Sequence, residues 1–237
     1  WPLLHDTRDP TTEAFDVAAL DERLATVDDS FPFRDRDGCG WMALRAAFIG
    51  TVLHHDVDLV APSEFARRRF VALAPVLAQA RWGIVPHGIA PLPRLPAPPA
   101  RPGAPLRVLV PGRIHGEKGE RLLQAMLADL PADVELVLLG SGYRGGAFWG
   151  RDDVQVILDY AHGELAEEVA RIAPDLALLP STVPETFSYT LSEMLALRVP
   201  VLCASPGAPA ERLLASGGGW VVAADAEAVT RQLVHFS

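Results

Sequence analysis

Cysteine is scarce in this chain. Cys39 and Cys203 stand far apart in sequence. Two thiols make neither a disulfide framework nor a four-ligand zinc site, so the sequence reads as a reduced, cytoplasmic protein. Positive charge is also in deficit: 21 Lys and Arg against 30 Asp and Glu give a formal net charge of -9. A general nucleic-acid binder has the opposite balance. Acidity does not exclude an anionic ligand, because a phosphate site is a local matter of amide dipoles and one or two cations. No apolar run reaches bilayer length, and the start does not look like a signal peptide. The first residue is Trp1 rather than Met, and Trp-Pro-Leu-Leu follows at once. The expectation is a chain that begins mid-domain. No internal repeat is visible.

What is plentiful is apolar residues, 49% of 237, enough to bury a core in one large or two modest α/β domains. The sharpest shift in composition is Pro91 to Pro105, PLPRLPAPPARPGAP. Proline at that density removes backbone donors and holds the chain extended, which predicts a semi-rigid linker over 91–105. It separates residues 1–90 from residues 106–237.

Strand and helix signals alternate after the linker. Short apolar runs at 106–110, 135–139, 154–158, 176–179, 199–203 and 220–222 predict strands. Helical spacing predicts helices over 119–130, 164–172, 190–197, 210–215 and 226–234. Such alternation implies a parallel, doubly wound sheet, which binds ligands at the carboxyl ends of its strands. Before the linker, an apolar helix is expected over 43–53, strands over 58–61 and 84–85, and a helix start capped by Ser63. Residues 6–40 receive no firm assignment.

Two segments carry the chemistry. In PSTVPETFSYTLSEMLALRVP, residues 180–200, a strand gives way to a turn holding Glu185 and then to a helix with Glu193 inside it. The amides of Ser188, Tyr189 and Thr190 fall near the helix N-terminus, where free N–H groups and the helix dipole form a phosphate cradle. Carboxylates on either side can grip sugar and ribose hydroxyls; two solvated glutamates on an amphipathic helix give the same spacing. In VPGRIHGEKG, residues 110–119, a Gly-rich turn carries Arg113 and Lys118. Arg offers a fork and Lys a point charge to a diphosphate, and an exposed turn with ordinary surface charges is the alternative.

Together these segments resemble glycosyltransferase family 4, retaining enzymes of the GT-B fold. Pro180-Ser181, Glu185, Phe187, Glu193-Met194-Leu195-Ala196 and Pro200-Val201 are similar to its Glu-x7-Glu segment. Gly112-Arg113 and Lys118-Gly119 are similar to its Gly-Arg, short spacer, Lys-Gly segment. The sequence departs at Ser188 and Arg198, where the family carries glycine. Ser188 is a mild change provided that the backbone is helical there. Leu138 to Gly142, Gly207 to Glu211, Ala61 to Phe65 and Val85 to Gly88 resemble further family turns. His87 and Ala90 stand where Asn and Asp are usual, and an extra residue precedes Glu211. Leu3 to Asp6 resembles the strand end that places a histidine, here His5, against the donor sugar; a surface turn reads the same.

The resemblance implies a GT-B-like fold: a Rossmann-like donor domain over 106–237 and a partial N-terminal α/β region over 1–90. It implies transfer of a sugar from a nucleoside-diphosphate sugar, with retention, to a glycan, lipid or small molecule. Glu185, Arg113, Lys118 and His5 would serve catalysis. Gly112, Arg113, Lys118, Glu185, Phe187, Ser188, Tyr189, Thr190 and Glu193 would hold the donor, with Glu185 on the sugar and Glu193 on the ribose. No cofactor and no metal would be required. A complete enzyme of this kind begins with a Gly-rich loop, and none lies ahead of His5. The sequence therefore also admits a piece of a larger polypeptide, a non-catalytic nucleotide-sugar-binding or interaction module, and a GT-B-like sugar-nucleotide epimerase. Arg67-Arg68-Arg69 admits peripheral contact with anionic lipid as well as a solvated helix face. His54-His55-Asp56 is a poor metal site, since adjacent side chains point apart.

Overall fold

The computed structural model describes residues 17–25, 37–99, 101–161, 163–204 and 206–237. Trp1 and His5 lie outside them. The chain divides into two compact units, residues 1–86 and 87–237.

In the first unit, α1 (Val17–Leu24) precedes α2 (Gly38–His54). α1 falls in the stretch for which the sequence offered no assignment. Asp37 caps α2, its carboxylate accepting from Gly40 N at 2.7 Å, and the Gly38 amide donates to Asp21 at 2.6 Å. β1 (Leu59–Ala61) leads into α3 (Glu64–Leu73), where Ser63 Oγ accepts from Ala66 N at 3.1 Å as an N-cap should. β2 (Trp82–Ile84) pairs parallel to β1, Leu59 opposite Trp82. Val52, Ala74 and Leu77 form the buried centre, with Ile49, Leu59 and Trp82 against it. Among the described residues no helix is long and apolar enough to cross a membrane.

The second unit is a six-stranded parallel sheet. In chain order it runs β3 (Leu106–Pro111), α4 (Arg121–Met126), β4 (Val134–Leu139), β5 (Val154–Ile157), α5 (Leu165–Ile172), β6 (Leu176–Leu179), α6 (Tyr189–Leu197), β7 (Val201–Cys203), α7 (Ala208–Ser216), β8 (Gly219–Val221) and α8 (Ala226–Phe236). The strand order is β5-β4-β3-β6-β7-β8. The chain builds outward from β3 in one direction, then returns to β6 on its other side and builds the opposite way. The crevice at the carboxyl ends of β3 and β6 is therefore the topological switch point, where sheets of this winding bind ligands.

Both faces of this sheet are covered, which explains its largely apolar strands. Val108 and Val110 pack with Leu123, Met126 and Leu233 on one face; Leu109 packs with Val169, Leu191 and Met194 on the other. Each fully buried Leu contributes about 1.5–3 kcal/mol. The proline-rich stretch is attached to this unit. Leu92 and Leu95 pack against the second face, and Arg101 bonds to Asp175 and Glu135 at the amino ends of the central strands.

The helix expected over 119–130 is shorter than its apolar spacing suggested. Lys118 and Gly119 leave helical geometry, Gly119 at φ +93°, so regular winding begins at Arg121.

Candidate functional site

Two loops meet at the switch point. The first leaves β3 through Gly112, whose φ of +98° turns the chain sharply. Ile114 is buried and its amide donates to the Ser141 carbonyl at 3.1 Å, tying this loop to the end of β4. Arg113 is exposed. The second loop leaves β6 at Pro180 and reaches α6.

Three contacts bring the loops together. A Cβ at Gly112 would lie 3.7 Å from Thr190 Oγ1, so the turn after β3 abuts the first residues of α6. A Cβ at Gly119 would lie 2.4 Å from Pro180 Cγ and 3.0 Å from the Pro180 carbonyl oxygen, so only glycine fits there. Lys118 Nζ forms an ion pair with Glu185 Oε1, the lysine side chain being 37% and the glutamate 17% exposed. Glu185 is fixed through its backbone as well. Its amide donates to Pro206 O at 3.3 Å, and its carbonyl accepts from Ala208 N at 2.9 Å. Thus the two segments singled out in the sequence share one crevice, and Gly112, Lys118, Glu185 and Thr190 are neighbours within it.

The start of α6 corrects one sequence expectation. Ser188 is not helical: it is the N-cap, at φ +74° and ψ +101°. This backbone region suits glycine, and a serine there stores about 1–3 kcal/mol of strain. Its hydroxyl accepts from Leu191 N at 3.3 Å. Helix geometry leaves the Tyr189 and Thr190 amides without intrahelical acceptors and puts the positive end of the dipole beside them. Phe187 is buried and Tyr189 is 53% exposed. His87 stacks on Tyr189 with ring centroids 5.3 Å apart and meets Phe187 edge-on at 4.9 Å.

Glu193 lies one turn into α6. Its negative charge, with that of Asp159, helps push the Tyr160 hydroxyl above the usual tyrosine range, after burial as the larger cause. Tyr160 follows β5 and covers Gly140 at the end of β4, where a Cβ would stand 2.7 Å from Tyr160 Cε1. Glu185 thus stands beside Lys118, and Glu193 is near enough to Tyr160 to be felt by its hydroxyl.

Sequence reasoning missed Tyr160 and Arg212. Tyr160 had a signal, its place at the carboxyl end of a strand. Arg212 had none. It lies in α7, yet its Nη1 donates to Phe187 O at 2.7 Å and Ser188 O at 3.0 Å, and its Nη2 to Ser192 Oγ at 2.7 Å. Its guanidinium sits 3.8 Å over the Phe187 ring, and burial lowers its pKa. Glu211, the neighbouring candidate, is in the first turn of α7. His54 and His55, expected to point apart, instead touch edge-on at the end of α2 with ring centroids 4.7 Å apart. No metal-binding group of three or more His, Cys, Asp or Glu occurs among the described residues.

This is the fold of the GT-B glycosyltransferases, with a Rossmann-like second unit. HepE of Anabaena, solved in complex with UDP, superposes with a TM-score of 0.56 at 18% identity over 74% of this chain and 52% of that one. Sucrose-phosphate synthase of Thermosynechococcus elongatus gives 0.61 at 19% identity over 87% and 54%. A glycosyltransferase of Rickettsia africae gives 0.58 at 17% over 80% and 55%. The chain spans about half the length of these proteins. No family model matches the chain, and no curated protein matches its sequence.

Proposed function

We propose that this chain carries the donor site of a retaining glycosyltransferase similar to family 4, binding a nucleoside-diphosphate sugar at the switch point. The observation that carries the reading is the convergence of Lys118 and Glu185 beside the amino end of α6, with Gly112 against Thr190. The complex of HepE with UDP supports it by fold.

In this reading Arg113 and Lys118 hold the diphosphate from one side and the Tyr189 and Thr190 amides from the other. They stabilise the charge that develops on the leaving group as the anomeric bond breaks, so a divalent metal is not needed. Donor binding exchanges the Lys118–Glu185 pair for Lys118 on phosphate and Glu185 on sugar hydroxyls. Glu193 accepts from the ribose. The acceptor is a glycan, lipid or small-molecule hydroxyl.

The test is thermal unfolding with UDP, GDP, ADP, CDP and dTDP and their common sugars. A ligand at about 100 times its Kd stabilises the folded state by about 2.7 kcal/mol. One base should raise the Tm. Arg113→Ala should weaken that ligand by about tenfold or more, the loss expected for a charge-assisted pair. Glu185→Gln should keep nucleotide binding and lose transfer. Absence of a shift with every nucleotide would sink the reading.

A further inference from the structure

Ser188 occupies a conformation that favours glycine, at the point where the loop after β6 becomes α6. A strained residue persists only where its surroundings over-determine it. Ser188 is held from within α6 by Leu191 N on its hydroxyl and Ser192 Oγ on its carbonyl, and from another element by one side chain. Arg212 reaches across from α7 and donates to the carbonyls on both sides of the Phe187–Ser188 step, and to the Ser192 hydroxyl one turn on. One arm of its planar fork, Nη1, serves both carbonyls while the other, Nη2, reaches the Ser192 hydroxyl, a spread that a single ammonium does not match. The Phe187 ring closes the other side of the guanidinium.

We infer that Arg212 is a positioning residue that holds Ser188 in this conformation and so fixes the direction of the first amides of α6. The clamp is a property of the fold. Its purpose, aiming those amides at a diphosphate, rests on the donor-site reading above. Arg212 touches no reacting atom and acts through the turn. The relation is conditional: a residue that needs no clamp at position 188 makes Arg212 dispensable.

A double-mutant cycle tests this. Arg212→Met is expected to lower the Tm by about 4 °C or more, in line with the loss of charged hydrogen bonds. In the Ser188→Gly background the same change should cost less than half as much. Arg212→Lys keeps the charge without the fork and should fall between; with Arg212→Gln it carries the cycle should the methionine variant fail to fold. For whichever of UDP, GDP, ADP, CDP or dTDP binds the parent chain, Arg212→Met should raise the Kd about tenfold or more, and adding Ser188→Gly should recover part of it. A general loss of packing gives no such recovery. Equal Tm losses in both backgrounds would overturn the clamp, and a fallen Tm with unchanged Kd would overturn its role in aiming the amides. Coupling in Tm with no nucleotide response in the parent upholds the clamp and removes the donor-site reading.

Discussion

Arg198 offers a test of the backbone reasoning that is independent of any ligand. It ends α6 at φ +64° and ψ +30°. Its amide donates to Leu195 O at 3.2 Å and the Val199 amide to Met194 O at 3.0 Å, the paired bonds of a Schellman motif with Arg198 at the left-handed position. Met194 and Val199 are both buried, supplying the apolar contact that accompanies this cap. The arginine side chain itself is exposed. An L-residue in left-handed geometry costs about 1–2 kcal/mol. Glycine removes that cost but gains unfolded-state entropy worth about 0.4–1 kcal/mol. Arg198→Gly should therefore stabilise by about 0.5–1 kcal/mol, a Tm rise of about 1–4 °C for a chain of this size. Scanning calorimetry should show the rise in Arg198→Gly and not in Arg198→Ala, which removes the same charge and keeps the Cβ. Ala173, at φ +49° after α5, repeats the test without any charge. An equal gain from Arg198→Ala, or none from Arg198→Gly, would refute the assignment of strain to this cap.

Two further perturbations address the crevice. Gly119→Ala puts a Cβ 2.4 Å from Pro180 Cγ at a φ of +93°, so one of the two loops must move; a loss of about 1–3 kcal/mol is expected, seen as a lower Tm together with a weaker nucleotide response. Tyr160 titrates above its ordinary value in the folded chain, chiefly through burial. A raised acid pKa favours the neutral folded form, so this contribution is intact below the unfolded value of about 10 and is lost as pH rises through the folded value. Tyr160→Phe should flatten the alkaline limb of a Tm-against-pH curve, and an unchanged limb would show that Tyr160 does not couple to folding.

The parallel sheet was legible because the strands from β3 to β7 are mostly apolar, broken only by Arg107, Glu135 and Gln155, and burial on both faces favours that pattern. The two loops at the switch point were legible because their glycines, prolines and charges sit where strands end. What escaped was set by tertiary contact. Ser188 was expected in helical backbone and is instead the N-cap toward Leu191, and nothing in its neighbours in sequence reveals a positive φ. The missing term is Arg212, which reads as one more polar residue on an amphipathic helix and becomes informative only when folding puts it on the Phe187 and Ser188 carbonyls. The resemblance located the anomaly without explaining it, since both departures from glycine, at 188 and 198, fall on left-handed backbone. The two sites differ in how they bear the cost. Arg198 lies in an exposed cap with standard hydrogen bonds, where about 1 kcal/mol of strain is tolerable in a stable domain. Ser188 lies beside Glu185 at the amino end of α6, where a relaxed turn would redirect the amides, and there the fold supplies a dedicated side chain to hold it. That contrast is itself an argument for function: strain is tolerated at the cap and clamped at the crevice, as a site that depends on fixed dipoles requires.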